Sequence, residues 1–297
     1  MTDFDHFPRS SPPGPAFILS FMIIPKNPLA RIVAALPPEE LRQEYLVSGL
    51  FVPGQANLRW WETDRTIVGG IVPTDQALGL ENDPELRAAF FLERREAGVL
   101  NVGGAGTIVV DGTEYALGKC DALYLGRGAK EVSFRSAKAD EPAYFYLLSY
   151  PAHHAYPTKH VPFASMAPTK LGTRENANER TIYKAIHAAA VDTCQVVMGF
   201  TRLETGSVWN TMPPHTHSRR SEVYMYFDVP ADQAVFHFMG APDSTRHLVM
   251  RNHDIVLSPV WSVHCGAGTS AYTFVWGMGG ENRDYADMDP APLKTLI

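Results

Sequence analysis

The feature that most limits what this chain can fold into is its punctuation. From Thr66 to Trp276 it is cut into short apolar, β-branched or aromatic runs. Each run is stopped by Gly, Pro, Asp or Asn, and 23 glycines and 23 prolines supply many of the stops. Thr66–Val72, Phe90–Arg95, Ala143–Leu148, Glu222–Phe227 and Tyr272–Trp276 are built from residues that fit a pleated surface. Gly106–Tyr115 reads as a hairpin turning on Asp111-Gly112, a pair that tolerates the positive φ a tight turn demands. A helix is expected over Pro37–Leu46, with proline at its start and Glu39 and Glu40 in its first turn. A second, partial helix is expected within Arg180–Ala190. Short strands at regular spacing cover their apolar faces by pairing sheets, so the expectation is an all-β fold of sandwiches or barrels with a few short helices.

A chain of 297 residues is long enough for two such barrels of about 100 residues each. The sequence carries a loose repeat that agrees. Asp121-Ala122-Leu123-Tyr124 leads through Gly126 and Gly128 to the aromatic run Tyr144–Tyr146. Asp254-Ile255-Val256-Leu257 leads through Pro259 and His264 to Tyr272–Trp276. The expected division is a disordered or loosely packed extension over residues 1–35, a first barrel over 36–150, a connector over 151–192 and a second barrel over 193–297. The apolar run Ala16–Ile24 has the shape of a signal peptide. Asp3 and Asp5 spoil its basic start, however, and Pro25-Lys26-Asn27-Pro28 replaces a small-residue cleavage site. No apolar run reaches the eighteen or so residues of a membrane helix. The net charge of −6 lacks the basic footprint of a nucleic-acid or anionic-membrane binder. Cys120, Cys194 and Cys265 are odd in number and far apart, which fits neither a disulfide framework nor a CxxC zinc pair and points to a reducing cytoplasm.

Chemistry concentrates in Met212–Tyr224. Alternate side chains of a strand share a face, so His215 and His217 present two imidazoles side by side. Ser218–Ser221 can turn the chain, and Glu222 then opens the returning strand beside them. Two imidazoles and a carboxylate suit Zn²⁺, Mn²⁺ or Fe²⁺. His264, beyond a proline-containing turn in the second β series, is the best fourth ligand. Cys265 beside it reads as a packed thiol. The first half carries no His-x-His, so its barrel is expected to be metal-free and used for packing and assembly, with Glu93 and Glu96 on its rim. His153, His154 and His160 read as a solvated loop group, and His6, His187, His237 and His253 as lone structural histidines. Gly103–Gly106 is followed by a hairpin, not by the helix a phosphate loop requires.

The His-x-His, Glu and distant His spacing resembles the cupin metal signature. Val229, Trp261 and Gly268 depart from it at turn and packing positions, which leaves the ligand assignment in place. Longer strings carry a closer likeness: Phe91–Glu96, Asn101–Thr107, Asp121–Tyr124, Gly128–Val132, Tyr156–Lys159, Trp209–Pro213, Thr245–His247 and Tyr272–Met278. They resemble the 5-keto-4-deoxyuronate isomerase family of pectin breakdown, over roughly residues 40 to 297. The resemblance implies a cytoplasmic, zinc-bound bicupin of two jelly-roll-like barrels, a homo-oligomer and usually a hexamer. It implies metal ligands at His215, His217, Glu222 and His264. It also implies a small anionic sugar-acid substrate, 5-dehydro-4-deoxy-D-glucuronate, converted to 3-deoxy-D-glycero-2,5-hexodiulosonate.

That reaction needs a proton shuttle, for which Tyr224, His247 and Glu281 are candidates. It also needs a cation for the substrate carboxylate, for which Arg219, Arg220 and Arg246 are candidates, each with a solvated surface charge as the alternative. Two other functions fit the same spacing. An iron-dependent cupin dioxygenase would consume oxygen with a catechol or thiol, and a non-catalytic sugar-binding bicupin would bind ligand without turnover.

Overall fold

In the computed structural model, which describes residues 28–297, the punctuated runs become strands. The apolar run Ala16–Ile24 lies outside the described residues. Helices α1 (Pro28–Ala35) and α2 (Pro38–Tyr45) lead into β1 (Leu46–Val47). The first half continues with β2 (Gln55–Trp61), β3 (Thr66–Val72), β4 (Leu78–Gly79), β5 (Arg95–Asn101), β6 (Gly106–Val110), β7 (Thr113–Leu117), β8 (Ala122–Leu125), β9 (Val132–Ser136), β10 (Phe145–Pro151) and β11 (Lys159–Val161). The second half holds β12 (Pro168–Leu171), β13 (Arg180–Ile186), β14 (Val197–Leu203), β15 (Trp209–Asn210), β16 (His215–Thr216), β17 (Arg220–Phe227), β18 (Val235–Ala241), β19 (Ser244–Met250), β20 (Ile255–Ser258), β21 (Cys265–Gly268), β22 (Thr273–Gly280) and β23 (Asp289–Pro290). No helix among the described residues is long and apolar enough to cross a membrane.

The sheets show the duplication directly. The large sheet of the first half runs β11-β8-β5-β10-β3-β2, and that of the second runs β1-β20-β17-β22-β14-β13-β12. The core order β8-β5-β10-β3 is repeated as β20-β17-β22-β14. The small sheets, β4-β9-β6-β7 and β15-β21-β18-β19, repeat in the same way. Each half is thus a two-sheet, jelly-roll-like barrel, and the fold is all-β and cupin-like. Register extends the match to single residues. Ala97 pairs with Leu125 and Ser149 as Glu222 pairs with Ser258 and Met278. Ala97 therefore occupies in the first barrel the position Glu222 occupies in the second.

The two large sheets pack back to back. A single apolar cluster holds Leu100, Tyr124, Leu148 and Tyr150 from the first half with Ile186, Met198, Val223 and Met225 from the second. Close approach depends on Gly277 and Gly279, where an added Cβ would lie 2.2 Å from Leu148 and 2.5 Å from the Tyr150 ring. Glu96, expected on a rim, is fully buried at this junction. Its carboxylate accepts from the Tyr124 hydroxyl at 2.7 Å and from the backbone N–H groups of Cys194, Gln195 and Val196 at 2.7, 2.6 and 2.9 Å. Those four donors offset the cost of burying the charge and tie the segment entering β14 to the first barrel.

Other expectations are also revised. Arg180–Ile186 is a strand, because Thr181, Ile182 and Tyr183 pair on both sides with β12 and β14; only His187–Ala190 turns. Phe90–Arg94 is turn and bend, and strand structure begins at Arg95. Within the segment read as a connector, β11 joins the first barrel while β12 and β13 join the second. Residues 28–35 of the expected loose extension form α1, and β1 pairs with β20, so the segment preceding β2 rests on the second barrel.

Arg246, read as a substrate-binding cation, explains part of that docking. Its guanidinium donates to the carbonyls of Val33, Ala34 and Leu36 at 3.1, 3.0 and 2.9 Å, pinning the last turn of α1 and the residue after it to β19.

Candidate metal centre

Four side chains meet inside the second barrel. His215 and His217 lie on and just beyond β16, which β23 holds in place through the pairs His215–Pro290 and Thr216–Asp289. Glu222 is on the barrel-facing side of β17, and His264 immediately precedes β21. Their ligand atoms all lie within 4.8 Å of one another. The Nε2 atoms of His264 and His215 are 3.0 Å apart. Glu222 Oε2 stands 2.9 Å from His217 Nε2 and 2.8 Å from His264 Nε2. The His217 and His264 rings are nearly parallel at 9°, and His215 stands across them at 84° and 88°.

The contacts of Glu222 Oε2 are short, yet they lack hydrogen-bond geometry and leave this buried oxygen unpartnered. Nitrogen and oxygen ligands sit about 2.0–2.2 Å from a zinc-like ion, which puts ligand atoms around a shared ion about 3–4 Å apart. Lone pairs crowded at this distance around one point fit a dication better than they fit each other.

Electrostatics prepare the ligands. Burial pushes the His215 imidazolium down to about 3, helped by His264, so the ring is neutral near pH 7. Burial alone would raise the Glu222 carboxyl, but His264 and His217 hold it well below the usual range. His217 Nδ1 lies 2.7 Å from the Asp287 carbonyl; donating there leaves its Nε2 lone pair facing Glu222.

The cluster opens onto a cavity of about 520 Å³. Tyr224 lines it, 2 % exposed, with its hydroxyl 3.0 Å from Thr211 Oγ1 and its ring 5.5 Å from that of His264. The other candidates from sequence are elsewhere. His247 and Glu281 are exposed and line no part of the cavity. Arg219 is clamped on both carboxylate oxygens of Asp287 and on Asp289, which ties the loop carrying Tyr285 and Met288 over the cavity. Arg220 is fully buried and donates to the Asp287 carbonyl at 2.8 Å, behind His217. Arg246 caps α1, as described. Cys265 is buried, its thiol pushed up to about 12 by that burial, and stands outside the ligand group.

The cavity-lining cation is Arg180, which sequence reading missed. Alternation along Arg180, Ile182 and Lys184 was the available signal, but the alanines that follow masked it.

A model of the KduI/IolB family matches residues 50–293. A protein of Formosa agariphila named 4-deoxy-L-threo-5-hexosulose-uronate ketol-isomerase is 55 % identical over 87 % of this chain and 92 % of its own length. One of the same name from Halalkalibacterium halodurans is 50 % identical over 87 % of this chain and 94 % of its own. Among solved structures, an IolB-like protein from Salmonella typhimurium superposes with a TM-score of 0.65 at 14 % identity, covering 81 % of this chain and 94 % of that one. Oxalate decarboxylase from Bacillus subtilis does so with a TM-score of 0.55 at 11 % identity, covering 90 % and 86 %. At such identities these two structures show the fold alone.

Proposed function

The chain belongs to the KduI/IolB family, and from that premise we propose that it is a divalent-metal ketol-isomerase. Its substrate on this reading is 5-dehydro-4-deoxy-D-glucuronate and its product 3-deoxy-D-glycero-2,5-hexodiulosonate, a step of pectin and uronate catabolism. The observation that carries the reading is the convergence of His215, His217, Glu222 and His264 on one point, with the first three lining the cavity. The donor set suits Zn²⁺, and Mn²⁺ or Fe²⁺ would find the same ligands. The bound ion would supply Lewis acidity toward the negative charge that develops on substrate oxygen.

The reaction moves a carbonyl by one carbon. A proton leaves the carbon beside the carbonyl and one returns to the neighbouring carbon, with no net oxidation. Tyr224 is the acid of this reading, giving a proton to substrate oxygen as charge develops there; it is not the base that takes the proton from carbon. Burial, and then Glu222, raise its phenol well above the ordinary value, so it is neutral and able to donate. The Thr211 hydroxyl orients that phenol. Phe274, Trp276 and Tyr285 wall the cavity. By family resemblance the protein acts in the cytoplasm as a homo-oligomer, a hexamer.

Elemental analysis of the purified protein, paired with an isomerisation assay, tests this. The expected result is about one dication per chain, with turnover abolished by a chelator and restored by the ion. Full turnover by completely demetallated protein would overturn it.

A further inference from the structure

Arg180 opens β13, paired with Leu203 of β14 on one side and with Leu171 of β12 on the other. It lines the same cavity as His215, His217 and Glu222 of the ligand cluster and is 9 % exposed. Among the described residues lining that cavity it is the one lysine or arginine. Its one hydrogen bond among the described residues runs from Nη1 to the Asn178 carbonyl at 2.8 Å. No carboxylate among the described residues lies within ion-pair distance of it. An arginine keeps its proton even where burial weakens its hold, as burial does here. The result is a nine-tenths buried cation whose remaining guanidinium N–H groups have no protein partner among the described residues and open onto the cavity, where an anion can meet them.

The neighbouring backbone is shaped to hold that guanidinium. Gly172 has φ +81°, and a Cβ on it would lie 2.1 Å from the Asn178 carbonyl oxygen. Only a glycine lets this turn press against the carbonyl that fixes Nη1. Ile182 and Thr201, opposite each other in register, continue the same wall toward Phe274 and Trp276. The arginines more easily suspected from sequence do not line this cavity: Arg219 is held by Asp287 and Asp289, Arg246 by the end of α1, and Arg220 donates to the Asp287 carbonyl while its Nε and Nη1 are buried without a partner away from the cavity wall.

We propose that Arg180 is the specificity residue of this site, taking the substrate's carboxylate on its free guanidinium edge while the reacting carbonyl end lies at the His215, His217, Glu222 and His264 cluster. The inference rests on the isomerase reading and adds to it the selection of an acid over a neutral sugar. A guanidinium can meet a carboxylate in a two-point fork, whereas an ammonium offers one point charge, so lysine is an incomplete substitute.

The test uses the metal-loaded full chain and two substrates: the 5-keto-4-deoxyuronate and its neutral counterpart with CH₂OH in place of the carboxylate. Wild type should prefer the acid. Arg180→Met should lower the acid-over-neutral ratio of kcat/KM about 10–100-fold, the worth of a charge-assisted hydrogen bond. The loss should fall mainly on KM, with metal content unchanged, and Arg180→Lys should recover part of the ratio. A folded, metal-replete Arg180→Met that keeps the wild-type ratio within twofold overturns the proposal. If the methionine variant does not fold, wild type decides, and equal kcat/KM for the two compounds overturns it. If wild type turns over neither compound, the isomerase reading falls on its own. Calorimetric binding of the same pair then still decides Arg180: a carboxylate preference lost in Arg180→Met supports it, and equal binding by wild type overturns it.

Discussion

Replacing Glu222 by glutamine keeps the shape of the side chain and removes its charge. The residue is 4 % exposed, and its Oε2 stands 2.9 and 2.8 Å from two imidazole nitrogens. Solvent has little room to take over its part. Four-ligand protein zinc sites form with about 10–16 kcal/mol of apparent free energy, so one ligand's share is about 2.5–4 kcal/mol. At about 1.4 kcal/mol per decade, the expected weakening of metal binding is about a hundredfold to a thousandfold. The amide can still meet the imidazole lone pairs as a donor, so the barrel should remain folded. Competition with a chromophoric chelator at pH 7 gives the affinity. Elemental analysis gives the metal per chain, circular dichroism the fold, and an isomerisation assay the rate. Affinity and rate should fall together while the spectrum stays. A variant that holds its ion within threefold of wild-type affinity and turns over at full rate would show that Glu222 is no ligand, and the metal-centre argument would fail with it.

Tyr224→Phe should lower kcat by about 10²–10⁴ while leaving the metal content alone, and a kcat within threefold of wild type would remove Tyr224 from proton transfer. Arg246→Ala should leave KM for the acid unchanged and lower the unfolding free energy by about 1–3 kcal/mol, because three carbonyls at the end of α1 lose a charged donor. A raised KM at undiminished stability in urea unfolding would return Arg246 to a substrate role. Burial pushes His237 down to about 3 and His253 down to about 4. Each value is below that of the unfolded chain, so the unfolded state binds more protons in acid. The stability is fully present above about pH 6.5 and is lost as pH falls toward 4, at about 1.4 kcal/mol per pH unit for each histidine. The urea midpoint should therefore be lower at pH 5 than at pH 7, and an equal or higher midpoint at pH 5 contradicts the assignment.

Much of this protein could be read without coordinates, and for local reasons. The Asp111-Gly112 pair marks the turn between β6 and β7 because positive φ is a property of those two residues. The strand Thr66–Val72 appears with the bounds its composition suggests. His215, His217 and Glu222 lie within eight residues, which groups them in sequence, but the hairpin expected through Ser218–Ser221 does not form: β16 pairs with β23, β17 pairs with β20 and β22, and His217 lies just outside β16. Readings failed where the deciding partner was far away in sequence. Whether Arg180–Ala190 is strand or helix depends on β12 and β14 flanking it. Glu96 looks like a rim charge until three backbone N–H groups about a hundred positions later arrive to bury it.

By itself, then, the sequence determined the all-β class, the repeat of two barrels and the grouping of three histidines with one glutamate. The strand class follows from side-chain alternation and turn chemistry within a few residues, the repeat from comparing two such series, and His264 joins the group through the longer spacing. Tertiary structure decided the fate of the arginines. A guanidinium's role is set by which acceptor reaches it first: Asp287 claims Arg219 and Arg220, the carbonyls of α1 claim Arg246, and Arg180 alone among the cavity's lining residues brings a cationic edge to the cavity.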